Sequence, residues 1–276
     1  KPQFKFTEPG SSVSLNDSIS LNFGMVKGKA TKSYVIANDG AKALDITSIT
    51  VPDGYTVLPA APFSVEPHQQ DTLTVQQNDD FIGEKSGIIT PKMKDLPDYH
   101  ILVSGSCVDS TKWFVNFEDN QIPKNVIAEG TNWAVATYPQ QLELLGNQYC
   151  LYQDQYGEPS DHFISPKLHV AAGDVLQFMA ARGSSATTPV LNVYYSYDRH
   201  NWTLVKTINT NDTIPEADRF SNETYRGSGY YANYKFKTFT LSNIPVGDVY
   251  VAFAGTYFYL DNLYGFTPVA VSHDIM

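Results

Sequence analysis

Hydrophobic and polar residues alternate with a period of two along most of this chain. In the first hundred residues "SVSLNDSISLNFG" (12–24), "TKSYVIANDG" (31–40), "ALDITSITV" (43–51), "FSVEPHQQDTLTVQQ" (63–77), "GEKSGIITPKM" (83–93) and "DYHILVSGSC" (98–107) each place apolar side chains on one face of an extended strand. Asn-Asp-Gly at 38–40 and Pro-Asp-Gly at 52–54 punctuate them as turns. Short strands about ten residues apart, with no sustained helical period, predict an all-β sandwich. After "SCVDSTK" a longer unit opens at Trp113 and keeps the same period through "GDVLQFMAARG" (173–183), "PVLNVYYSYDRHNWTLVKTI" (189–208), "YKFKTFTL" (234–241) and "DVYVAFAG" (248–255). Its 189–208 segment reads as a hairpin with its tip at Asp198 to Asn201. A many-stranded unit with few helices predicts a jelly roll, two antiparallel sheets face to face. The boundaries are set at 1–108 and 109–276.

Composition supports the pattern. Tyr (18) and Phe (15) are abundant, and 42% of the 276 residues are hydrophobic, enough for two buried cores. The net charge of −10 argues against a nucleic-acid partner, which needs a basic patch. The longest apolar run, near "VYVAFAGTYFYL", is shorter than the roughly 20 residues that span a bilayer, so no membrane insertion is expected. Two cysteines, Cys107 and Cys150, form no zinc-ligand cluster and are expected as separate buried thiols. Four N-x-S/T sequons, at Asn16, Asn201, Asn211 and Asn222, would matter in a eukaryotic secretory protein.

Catalytic patterns are weak. The six histidines are scattered, and neither GxSxG nor HExxH occurs. "SDHF" holds Ser160, Asp161 and His162, but neighbours on a strand point to opposite faces and do not assemble a triad. No enzyme is expected. Aromatics offer a different chemistry. Trp113, Trp133 and Trp202, with the Tyr-rich loop "TYRGSGYYANYKF", could present flat faces on which sugar rings stack. Core packing accounts for most single aromatics. Within the loop, turn residues surround Tyr225, Tyr230, Tyr231 and Tyr234, which with Trp202 are the candidate ligand-binding residues.

The closing stretch "GTYFYLDNLYGF" (255–266) is a strand by composition, yet Asp261 and Asn262 sit at its centre. Both residue types compete with the backbone for hydrogen bonds and are depleted in strands. Asp261 is either a solvated carboxylate at a strand end or is neutralised by something.

Two family resemblances bear on these features. "LNFGMVKGKATKSYVIANDGAKALDITSI", "FSVEPHQQDTLTV", "GEKSGIIT" and "HILVSGSC" resemble the abnormal-spindle/hydin type of immunoglobulin-like domain, with the markers on Phe23, Gly24, Val26, Asn38, Gly40, Leu44, Ile46, Val103 and Gly105. The second unit resembles the cleaved-adhesin jelly rolls of gingipain-type bacterial surface proteases. The marker residues are Phe117, Glu118, Pro123 and Trp133, then "HFISPKLHV", "YSYDRHNW" and "FYLDNLYGF". The resemblance implies that the opening "FED" and the closing "YLD" strands lie side by side, bringing Glu118 or Asp119 to Asp261. Packed carboxylates repel unless a cation bridges them, and Ca²⁺ accepts such an oxygen set. In that family these positions are associated with calcium, so Glu118, Asp119 and Asp261 are the expected ligands of a structural Ca²⁺. The chain departs from the family pattern at "IAEGTNW", which keeps only Glu129 of an acidic loop, and at Asn262, which replaces a second Asp.

Together these readings describe an all-β protein, an immunoglobulin-like β-sandwich followed by a jelly-roll β-sandwich. It is expected outside a bacterial cell or on its surface, where a removed N-terminal segment could carry a lipid anchor. Its expected role is non-catalytic binding or adhesion, with an extracellular glycan or protein as partner. The alternatives are a structural spacer of a larger surface assembly and, behind it, a divergent hydrolase.

Overall fold

A computed structural model describes the chain except residues 13, 16, 17, 138–148, 154–160, 184–187, 227–232 and 271–276. It is all-β, and it parts into two compact units, Lys1–Asp109 and Ser110–Met276.

In the first unit two sheets enclose one core. One sheet runs in the order β1 (Phe4–Thr7), β3 (Ala30–Asn38), β7 (Gln70–Gln77), β5 (Tyr55–Leu58). The other runs β2 (Ser18–Val26), β9 (His100–Cys107), β8 (Gly83–Met93), β4 (Leu44–Thr50), β6 (Phe63–Val65), with β2 and β9 parallel. Alternation decides which side chains face inward. In β3, Tyr34, Ile36 and Asn38 are buried, and Tyr34 and Ile36 share a core with Phe6, Leu44, Leu73, Val75, Ile89 and Ile101. Phe6 stacks on Tyr34 at 5.0 Å and tilts against Tyr99 at 5.1 Å.

The Asn-Asp-Gly turn is built around the wholly buried Asn38. Its Nδ2 donates to the carbonyls of Lys42 (2.7 Å) and Val65 (2.9 Å). Its Oδ1 accepts the N–H groups of Gly40 (3.0 Å) and Gln3 (3.2 Å). A buried amide must satisfy both ends, and this one does. Gly40 is required because any Cβ there would run into the backbone of Lys1 to Gln3.

The second unit also has two principal sheets. The first runs β12 (Trp133–Ala136), β13 (Cys150–Gln153), β23 (Phe258–Gly265), β16 (Leu176–Arg182), β21 (Lys237–Leu241), and β10 (Trp113–Val115) also pairs with β23. The second runs β11 (Ile127–Ala128), β14 (Phe163–Ile164), β22 (Gly247–Thr256), β15 (Leu168–Val170), β24 (Thr267–Pro268). Off that path, β17 (Val190–Ser196) pairs with β22 and β18 (Thr203–Ile208) pairs with β17. A further pair, β19 (Thr224–Arg226) and β20 (Asn233–Tyr234), stands apart. β22 and β23 are buried along most of their length, as their mostly apolar sequences require of central strands. Between the sheets Phe178 packs on Phe239 at 5.6 Å and on Phe253 at 5.2 Å, and Trp113 and Trp133 belong to the same core.

β23 carries a bulge. Gln177 pairs with Tyr264 and Met179 with Asp261, so two residues, Asn262 and Leu263, oppose the single Phe178. Asn262 takes φ 48°, the left-handed region that Asn tolerates better than other side-chain-bearing residues. The polar pair inside an apolar strand is therefore a bulge device as well as a charge.

Candidate functional site

One polar and aromatic cluster lies where β11 ends and β14 begins. Their ladder continues one step beyond the strands, where the Glu129 N–H donates to the His162 carbonyl at 2.9 Å. This step places the Glu129 carboxylate beside His162, where Oε2 meets the ring Nδ1 at 2.8 Å and accepts the backbone N–H at 3.3 Å. The imidazole stacks on the Trp202 indole, with centroids 5.3 Å apart and planes 14° apart, and its edge meets Tyr194 at 5.8 Å. Immediately before His162 in the chain, the Asp161 carboxylate accepts from Asn132 Nδ2 at 3.0 Å. Asp161 also covers Gly130, whose φ of 72° and lack of a Cβ let the carboxylate approach. His162 is mostly buried and Glu129 mostly accessible, with side chains 20% and 45% exposed.

Trp202 is half-buried, and its position follows from the hairpin before it. At the expected tip, Asp198 accepts the backbone N–H groups of Asn201 (2.9 Å) and His200 (2.8 Å), the Asn201 side chain (2.7 Å) and the Ser196 hydroxyl (2.9 Å). Those donors, the Asn201 N–H first among them, hold the Asp198 carboxyl well below the usual carboxylate range. The chain thus leaves the turn at one fixed angle, and Trp202 arrives over His162. Sequence reading singles out Trp202 but not its partners, because Glu129 and His162 meet only through the pairing of two short strands.

The candidate tyrosines are placed differently. The side chain of Tyr225, and Tyr230 and Tyr231 altogether, lie outside the described residues. Tyr234 is corrected by the structure: it is 9% exposed, and the Arg182 guanidinium lies over its ring at 4.2 Å. That cation–π contact covers the face a sugar would need, so Tyr234 is not an open platform.

The three candidate metal ligands separate into a pair and an outlier. On one edge of β23, β10 pairs with residues 263–265 and β13 with residues 258–260, leaving Asp261 at the break between them. Extending the β13 register by one residue sets Cys150 opposite Asp261. Glu118, just past β10, reaches the same place, where Oε1 accepts the Tyr149 N–H at 3.1 Å. Burial first, and then the charges of Asp261 and Glu118, push the Cys150 thiol well above its ordinary pKa. The structure therefore brings Glu118 and Asp261 together around one thiol. Asp119 does not join them: it is exposed, and its Oδ1 accepts the Gln121 N–H at 3.1 Å in a turn. Asp261 is wholly buried, and its Oδ1 accepts the Asn262 N–H at 2.8 Å. The neighbouring Asn262 Oδ1 is buried with no hydrogen-bond partner, while Nδ2 donates weakly to Met179 Sδ at 3.4 Å. A buried oxygen without a donor, beside a buried carboxylate, is a donor set suited to a hard cation. Among the described residues no group of three or more Asp, Glu, His or Cys side chains converges as a metal site.

The "SDHF" residues do not act as one unit. His162 turns to Glu129 and Asp161 to Asn132, while Ser160 lies outside the described residues. Cys107 and Cys150 are buried and form no disulfide. No helix among the described residues is long and apolar enough to cross a membrane.

No family model and no curated protein matches the chain. Solved structures do. The K1 cleaved adhesin domain of Lys-gingipain from Porphyromonas gingivalis W83 is 22% identical, with 58% of this chain and 99% of that one covered at a TM-score of 0.40. The K3 cleaved adhesin domain of the same protein is 16% identical, covering 56% and 98% at 0.40. A structure described as carbohydrate-binding modules from the β-sandwich superfamily is 11% identical, covering 96% and 97% at 0.36.

Proposed function

We propose that this chain is a non-catalytic binding protein of the extracellular space or cell surface, and that its second unit holds a glycan against Trp202. The observation that carries this reading is the chain of contacts Glu129–His162–Trp202. The carboxylate fixes the imidazole, and the imidazole fixes the indole plane, so the aromatic face is set before any ligand arrives. A preorganised aromatic plane takes the C–H face of a sugar with little ordering cost. Asp161, next to His162 in the chain, and its partner Asn132 carry acceptors and donors for hydroxyl groups. The first unit, read as a hydin-type immunoglobulin-like domain, serves as a spacer in this proposal. Glycan-array binding followed by titration of the best glycan is the test. Trp202→Ala should weaken binding about tenfold or more, a stacking contribution of roughly 1.4 kcal/mol. Unchanged affinity in that variant would overturn the assignment.

The proposal includes a structural Ca²⁺ held by Glu118 and Asp261, with the Asn262 amide oxygen as a neutral donor and Asp119 left to its turn. Calcium there would neutralise one buried and one half-buried carboxylate and tie the end of β10 to β23. Melting in calcium and in EDTA tests it. The wild-type midpoint should rise with calcium, and that of Asp261→Ala should not.

A further inference from the structure

The first unit carries an exposed sheet face of its own. Along β8 the side chains that point away from the core are those of Glu84, Ser86, Ile88, Thr90 and Lys92, since Ile89, Pro91 and Met93 between and beyond them are buried. On β9 Leu102 lies directly opposite Ile88, and on β2 Ser20 lies directly opposite Leu102. Ile88 and Leu102 are 51% and 43% exposed, so two large apolar side chains stand side by side in water at the middle of the face. Small hydroxyl-bearing residues flank them, Ser86 and Thr90 on β8, Ser104 on β9 and Ser20 on β2.

Charge on β8 is ordered about this apolar pair. Glu84 and Lys92 are both exposed, on the same side of the strand, and each lies four residues from Ile88, about 13 Å at the rise of a strand. The ion pairs among the described residues use neither of them. Consider a two-fold axis in the plane of contact, running along the Ile88–Leu102 row. It carries position 84 of one copy onto position 92 of the other and returns Ile88 and Leu102 to their own kind. Ser86 then meets Thr90, and Ser104 meets His100, which extends the same β8–β9 register by one step. Glu84 and Lys92 therefore pair twice across the axis, around an apolar centre. Packed sheets are turned by about 30° from one another, an offset that the long glutamate and lysine side chains span.

We propose that this face is a self-docking surface, on which a second copy of the chain seats face to face in an isologous dimer. Self-complementarity selects the occupant. The chain carries a net charge of −10, so unoriented encounters between copies are repulsive, whereas here β8 sets acid against base at both ends of the contact. From β2 to β4 the sheet is four strands wide, and from Glu84 to Lys92 it gives a face of roughly 19 by 26 Å, about 500 Å² in projection. Contacts of that size belong to weak, transient complexes, so the dimer forms only as concentration rises. The inference uses none of the Trp202 residues and stands apart from the glycan reading.

Sedimentation velocity of the full chain, from low micromolar to submillimolar concentration, tests it. The wild type should pass from monomer towards dimer across that range. Ile88→Asp should weaken the dimer about a hundredfold, because each copy would press an unpaired carboxylate into the contact. Glu84→Lys and Lys92→Glu should each weaken it about tenfold, since each sets like charges opposite one another twice. An equimolar mixture of those two variants should associate at about wild-type strength, and so should the double variant, because both arrangements restore acid against base. All these positions are exposed, and the thermal midpoint of each variant confirms that it folds. A wild type that stays monomeric throughout, a dimer indifferent to Ile88→Asp, or charge variants that do not rescue one another would overturn the surface.

Discussion

Asn262→Gly separates a backbone role of this residue from a ligand role. Three contributions change in the variant. The unpartnered, buried Oδ1 disappears, which should recover about 1–3 kcal/mol. Glycine's greater unfolded freedom costs about 0.5–1 kcal/mol, and the lost side-chain carbon costs about 0.8 kcal/mol. The φ of 48° is no obstacle to glycine, whereas Asn262→Ala adds about 1–2 kcal/mol of left-handed strain. In EDTA the glycine variant should therefore melt within about 1 kcal/mol of the wild type. That is about 2–4 °C for a unit of this size, and the alanine variant should melt lower. In calcium at a hundred times its dissociation constant the wild type should gain about 2.7 kcal/mol, or roughly 5–10 °C, and the glycine variant clearly less. Differential scanning calorimetry reads all of these. A glycine variant that falls well below the alanine variant in EDTA would refute the bulge argument. One that gains as much from calcium as the wild type would refute the amide as a ligand.

Asn38→Ala removes four hydrogen bonds and strands the carbonyls of Lys42 and Val65, so the first unit should lose about 2–4 kcal/mol in urea unfolding; a loss under 1 kcal/mol would contradict the accounting. The Asp198 carboxyl, depressed by its donors, should titrate below its ordinary 3.8 by carbon-13 NMR. Because its folded value lies below the unfolded one, its contribution to the hairpin is complete above about pH 4 and is lost as pH falls through the folded value. An ordinary midpoint would refute this. Cys107 and Cys150 should resist alkylation in the native protein and take up two labels after unfolding without reductant, whereas no label would mean a disulfide.

The strands were legible because one face of each had to be buried. The alternation in 31–38 puts Tyr34, Ile36 and Asn38 inward, and the structure does the same. The hairpin tip at Asp198 to Asn201 was legible too, since Asp, Arg, His and Asn interrupt two apolar runs there. Residues that meet across long sequence separations were not. Glu129 and His162 are joined by two strands of two residues each, too short to leave a periodic signal. Asp261 faces Cys150 through a register that no local pattern fixes. Tyr234 looked like its loop neighbours, and only Arg182, far away in sequence, decides that its ring is covered.

The pairing of β10 with β23 bears on how the second unit responds to force. Trp113, where β10 starts, lies opposite Gly265, where β23 ends. Tension delivered through the chain on either side of the unit reaches that pair from the same end, so it opens like a zip, one rung at a time, rather than sliding past a row of rungs loaded in parallel. Tethering in flow would test this joint once the short β24–β15 pair, which lies nearer the C-terminus, has given way. A cation shared between Glu118 and Asp261, three and two residues past the last rung at Val115–Leu263, would then act as the stop at the end of the zip.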